Sequence, residues 1–111
     1  MTNESIFLIS ELWLNQVKFE EFKAYRIRLL DILEKYNPEY VYHGHPFEWV
    51  LETDDGDVPT GIEVLRFETE VVARQALNAI MESGIMNEGR MIFKKIRCYL
   101  SKYELTTWKN V

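Results

Sequence analysis

Two histidines flanking one glycine, His43-Gly44-His45, point first to chemistry by type and spacing. On a strand, residues i and i+2 project from the same face, so both imidazoles would meet one metal ion or one substrate. A metal site needs three or four ligands, and no neighbouring run supplies a clear set. Glu48 or Glu11 would join only through folding. The pair also reads as two polar residues beside a bulge, and no metal is assigned to it. Glu11 interrupts an apolar run on the face of Phe7, Ile9 and Trp13, and Glu63 shares a face with Leu65 and Phe67. If their strands are neighbours, the two carboxylates approach each other. A carboxyl buried near another holds its proton to higher pH and can act as a general acid or base. The alternative is that each glutamate pairs with a lysine or arginine across strands. His43, Glu11 and Glu63 are therefore the candidate catalytic, proton-transferring groups. Strict alternation turns Arg66 away from Glu63, so it is not that carboxylate's obvious partner; it is separately a candidate anchor for an anionic ligand.

Other clusters are less specific. Arg90, Lys94 and Arg97 would fall at i, i+4 and i+7 of a helix, with Lys95 beside them, as a phosphate-binding face or an ordinary wet one. Glu52, Asp54, Asp55 and Asp57 lack the spacing of a calcium loop and read as a solvated turn. Cys98 has neither an adjacent histidine nor a partner cysteine, and its default reading is a buried structural thiol. Trp13, Trp49, Tyr42 and Phe47 would line an apolar pocket or pack a core, and His45 would join the pocket's polar contacts. No Ser-His-Asp order, phosphate-binding loop or dinucleotide glycine pattern is present.

The elements that must position these groups are set by composition and periodicity. The chain has 111 residues, 47% hydrophobic and 14% aromatic, which suits one domain, residues 1–111, with a real core and excludes a disordered chain. Its formal charge of -5 argues against a nucleic-acid binder, and no apolar run approaches the roughly 20 residues needed to cross a bilayer. A single cysteine and no signal-like N-terminus lead to the expectation of a cytoplasmic protein. Residues 1–5 and 106–111 are expected to fray.

Ile6 to Leu14 reads as a strand apolar on both faces, with Ile6, Leu8, Leu12 and Leu14 on one and Phe7, Ile9 and Trp13 on the other. Asn15 is the expected cap of a helix whose buried stripe is Phe19, Phe22, Leu29, Leu30 and Leu33, stopped by Asn37-Pro38. Tyr40 to Leu51 reads as a strand that a bulge or an edge position reconciles with Gly44 and Pro46. Gly61 to Phe67 is a third strand. Thr69 caps a helix over 70–83 with the stripe Val72, Ala73, Ala76, Leu77 and Ile80, closed by Gly84. A short helix over 87–97, capped by Asn87, and a last strand over 98–105 complete the chain. This order predicts an α+β, ferredoxin-like split β-α-β fold, a four-stranded antiparallel sheet with its helices on one face. Such helices leave the other face of the first strand uncovered, so a second copy packed sheet against sheet is expected, giving a homodimer.

Several stretches carry a family resemblance spanning about residues 6–105. Phe19, Phe22 and Tyr25 in VKFEEFKAYR are similar to an F-x-x-Y helix. Gly44 stands where the family has glycine in its second strand. Leu51-Glu52 is similar to L-E-G, and Phe67-Glu68-Thr69 to F-x-S. Thr53 follows Glu52 where the family has glycine, His45 replaces a second glycine, and no S-P-E-Y follows Gly84. The chain thus resembles the dimeric α/β-barrel superfamily, most nearly a small bacterial group of unknown function related to antibiotic-biosynthesis monooxygenases. The resemblance implies a dimeric barrel with an apolar pocket between helices and sheet. Such a pocket sometimes carries cofactor-independent oxidation, decarboxylation or isomerisation. The expected ligand is a small apolar or aromatic molecule, with no cofactor. The alternative is a non-catalytic sensor or assembly module, which a pocket filled by Trp13, Phe47 or Trp49 would favour.

Overall fold

Alternation along the first strand decides how the layers form. In the computed structural model, which describes residues 4–15, 18–52 and 56–102, strand β1 (Ile6–Leu14) buries Ile6, Leu8, Leu12 and Leu14 on one face. Phe7, Ile9, Glu11 and Trp13 stay half-buried on the other. The buried face meets helix α1 (Phe19–Glu34), helix α2 (Glu70–Ser83) and the short helix α3 (Ile85–Ile92). Strands β2 (Glu39–Gly44), β3 (Gly61–Phe67) and β4 (Phe93–Lys102) complete an antiparallel sheet in the order β2-β3-β1-β4. This is the α+β, ferredoxin-like arrangement expected from the order of elements.

Local chemistry accounts for the boundaries. At the start of α2 the Thr69 hydroxyl accepts a hydrogen bond from the Val72 amide at 3.2 Å, satisfying a donor the helix leaves unpaired. Gly84 ends α2 at φ +77°, a left-handed conformation that a side chain would disfavour. Its carbonyl then accepts from the Asn87 amide, so α3 begins at once. The core gathers Leu33 and Tyr25 of α1, Ala73, Ala76 and Ile80 of α2, Ile85 and Ile92 of α3, and Phe67 and Leu65 of β3. Phe93 closes it, with its ring edge-on to Phe22 and Tyr25.

The structure corrects several expected boundaries. Helix α1 starts at Phe19 after Lys18, without a side-chain cap, and Asn15 contributes its backbone carbonyl to the Lys18 amide. Phe19 is exposed, and Tyr25 takes the buried position that the stripe reading omitted. Strand β2 ends at Gly44 rather than Leu51; it is an edge strand, with a bulge between Tyr40 and Tyr42. The third helix begins at Ile85 instead of Asn87, and β4 begins at Phe93 instead of Cys98. Lys94, Lys95 and Arg97 therefore lie on a strand, and the proposed basic helix face does not exist. Apolar pairing with β1 overrides the helical spacing of these cations, because Ile96 and Leu100 face Leu12 and Leu8. Asp54 and Asp55 of the acidic turn and the expected strand end at 103–105 lie outside the described residues.

Phe67 is 1% exposed. Phe67→Ala is expected to cost about 3–5 kcal/mol of unfolding free energy and Thr69→Ala about 1 kcal/mol, read from denaturant midpoints at constant slope.

Candidate active site

The register of the sheet builds the site. On the face toward the helices, His43 of β2 pairs with Glu63 of β3, Glu63 with Ser10 of β1, and Ser10 with Cys98 of β4. Paired residues of antiparallel strands project to the same side, so these four form one polar row across the sheet. The rows on either side are apolar. Tyr40, Leu65, Leu8 and Leu100 lie on one side, and Leu12 and Ile96 on the other.

Ser10 and Cys98 are small, and helix α1 passes above them, so a cavity of about 220 Å3 remains between α1 and the sheet. Phe22, Tyr25, Leu29 and Leu33 form its roof, and Leu8, Leu12, Leu65 and Ile80 contribute apolar wall. Met81, Met86 and Ile96 line it yet remain exposed, and the cavity opens to solvent past them. At the β3 end, the Arg26 Nε donates to Glu63 Oε1 at 2.7 Å. These two side chains also border a second depression outside, lined by Tyr40, Val41, Tyr42 and His43. His43 Nε2 stands 3.8 Å from Glu63 Oε1 on that outer side. Glu63 is 14% exposed and His43 45%, so the row runs from an enclosed carboxylate to a wet imidazole.

One phenol and one thiol among the lining residues are raised from their ordinary ranges. Burial pushes the Tyr25 phenol up, and Cys98, Glu88 and Glu63 add to the shift. Gly89 of α3 permits the close approach of this phenol, since a Cβ there would stand 3.2 Å from its oxygen. Burial also raises the Cys98 thiol. Its 3.4 Å bond to Ser10 Oγ opposes the rise, and the charges of Glu11 and Glu63 add to it.

The candidates from sequence separate into two groups. His43 and Glu63 come together, and His45 joins them with its ring 5.0 Å from that of His43 and its Nδ1 3.2 Å from the Thr60 carbonyl. Glu11 does not join them. It pairs with Ile62 and faces the open side of the sheet, where the Tyr99 hydroxyl donates to it at 3.0 Å and Arg97 stands 3.7 Å away. The expected approach of Glu11 to Glu63 thus fails, because their strands are neighbours in a register that sends them to opposite faces. Arg66 also lies on the open side, where its guanidinium donates to Glu39 and, at 3.0 Å, to Ser5 Oγ. Trp13 packs under Lys95 on that side and donates to the Asp57 carbonyl, while Trp49 donates to the Gly56 carbonyl. Neither tryptophan lines the cavity, and Tyr42 borders only the outer depression. Phe47 is exposed, so none of the aromatic residues named as fillers occupies the cavity.

Arg26, Tyr25, Ser10 and Cys98 were missed as site residues. Ser10 carried a signal: it is the one polar residue on the buried face of β1. Cys98 lines the cavity and is exposed, where the expectation was a buried structural thiol. Among the described residues no cluster of three histidine, cysteine or acidic side chains suits a metal ion.

Cys98 is the chain's single cysteine, which makes its reactivity a direct report on the site. A raised thiol carries less thiolate at neutral pH, so alkylation by iodoacetamide is expected to be slower than for a free thiol at about pH 7 and to accelerate only above the usual thiol range near about 8.5. Mass spectrometry of the pH–rate profile checks this.

No family model matches this chain, and no curated protein is similar to it in sequence. Solved structures are similar in fold. RPA0582, a protein of unknown function from Rhodopseudomonas palustris, matches with a TM-score of 0.74 at 12% identity over 95% of this chain and 86% of that one. A NIPSNAP-like domain protein from Burkholderia xenovorans matches with 0.60 at 9% identity over 96% and 90%. SnoaB from Streptomyces nogalater, a cofactor-independent oxygenase, matches with 0.60 at 13% identity over 93% and 96%. The chain has the ferredoxin-like fold that these proteins share.

Proposed function

We propose that this protein binds a small apolar or aromatic molecule in the cavity between α1 and the sheet, and that Glu63 is its proton-transferring group. The observation that carries this reading is the apolar chamber floored by one polar row and open to solvent at one end. Packed cores rarely leave such volume, and an engineered cavity of about 150 Å3 already takes up benzene. Glu63 would accept a proton from a bound carbon acid or phenol. His43, on the outer side, would exchange that proton with solvent, and Arg26 would hold the carboxylate in place. Cofactor-independent oxidation and isomerisation both begin with such a transfer. The oxygenase SnoaB shares the fold, which is compatible with this reading. A second reading, binding without turnover, is favoured by the Arg26 bond to Glu63, which already occupies the carboxylate oxygen that would take the proton.

The protein acts, in this reading, as a cytoplasmic homodimer. No helix among the described residues is long and apolar enough to cross a membrane. The open sheet face presents Ile9, Trp13, Ile62 and Val64 half-exposed, and Tyr42 and Tyr99 more so. Glu11 on this face already has Tyr99 and Arg97 as partners and would not be left unpaired when covered. A second copy laid on this face would bury these apolar groups with Glu11 already paired.

Naphthalene-sized neutral aromatics are expected to shift the methyl resonances of Leu8, Leu12 and Ile80 and to protect Cys98 from alkylation. Leu30→Trp, which fills the cavity, should abolish both effects; unchanged binding by that variant would contradict the assigned site. Light scattering at micromolar concentration should give twice the chain mass, and Ile9→Asp should halve it with the circular dichroism unchanged. A wild-type chain of monomer mass would overturn the dimer.

A further inference from the structure

Among the described residues that line the cavity, Arg26 and Glu63 alone carry full charges, and they are bonded to each other at 2.7 Å. The remaining polar side chains that line it are Tyr25, Ser10 and Cys98, all neutral. The thiol is further engaged with Ser10. Both the phenol and the thiol are raised from their ordinary ranges and so stay protonated at neutral pH. The chamber therefore offers no uncompensated charge.

An anion brought into it would lose its hydration and find the one guanidinium already committed to a carboxylate. A cation would find that carboxylate neutralised by the guanidinium. A neutral group that both donates and accepts hydrogen bonds pays neither cost. It can donate to Glu63 and accept from Arg26 without separating the ion pair. The volume of about 220 Å3 limits the apolar body to about two fused rings, given that about 150 Å3 suits benzene.

Building on the cavity reading above, we infer that the site selects uncharged molecules: a bicyclic-sized apolar body ending in one donor–acceptor group, such as a phenolic or alcoholic hydroxyl, and that it rejects the matching carboxylates. The ion pair is the selecting element, because its internal neutrality sets the charge that the chamber accepts.

Calorimetry with naphthol, naphthalene and naphthoate at about pH 7, where the acid is ionised and the phenol is not, separates the possibilities. Naphthol is expected to bind about tenfold or more tightly than naphthoate, and several-fold more tightly than naphthalene. Glu63→Gln leaves Arg26 without its carboxylate and should raise naphthoate affinity by about tenfold, inverting the order. Should that variant fail to fold, Arg26→Gln supplies the complementary test. It leaves Glu63 uncompensated and should weaken naphthoate further while naphthol still binds. If naphthoate binds the wild type as tightly as naphthol, or if naphthalene equals naphthol, the selectivity inference is overturned while the cavity reading stands. If none of the three binds, the cavity reading itself fails.

Discussion

The pairing register of four antiparallel strands is the constraint on which the rest of this structure depends. It aligns His43, Glu63, Ser10 and Cys98 in a single transverse row on the helix-covered face. Side chains alternate with a period of two, so a slip of one residue in any pair would send its member of the row to the opposite face. The apolar rows on either side enforce this register, because the same slip would expose Leu8, Leu12 and Leu65. The polar site is thus held in place by hydrophobic neighbours that take no part in its chemistry.

The cavity follows from side-chain size. Leu8 and Leu12 reach up to the helices, and between them Ser10 and Cys98 do not. Helix α1 is supported by Tyr25 and Leu33 in the core and by the edge-on contacts of Phe22 and Tyr25 with Phe93, so it does not collapse into the gap. Tyr25 is then both a structural support and a polar group in the chamber. Arg26, the next residue, reaches Glu63 from the same helix and forms the boundary between the enclosed space and the wet depression around His43.

The two faces of the sheet divide the polar residues between them. Glu63 meets Arg26 and His43 on one side, while Glu11 meets Arg97 and Tyr99 on the other. Each carboxylate has a cation and a second polar neighbour, so both are compatible with a largely covered position. The difference is what surrounds them. Glu63 borders a chamber; Glu11 lies among Ile9, Trp13 and Tyr99 on a broad surface.

Local sequence signals determined the elements whose ends carry strong backbone preferences. The third strand over 61–67 and the helix from Glu70 to Ser83 were readable to the residue, since Thr69 caps and Gly84 terminates by short-range hydrogen bonding and φ preference alone. Alternation along β1 likewise revealed its two faces and, with the order of elements, the ferredoxin-like topology. The start of β4 was not readable, because Arg90, Lys94 and Arg97 have helical spacing and only pairing with β1 makes Phe93–Lys102 a strand. The site was half legible. His43 and Glu63 stood out by residue type, but Glu11 stood out equally and belongs elsewhere. Which carboxylate meets which base is set by interstrand register and by a helix crossing above, contacts between residues tens of positions apart. Ser10, Arg26 and Cys98 look ordinary in one dimension and become a chamber floor and its charged end only when three strands and a helix converge on them.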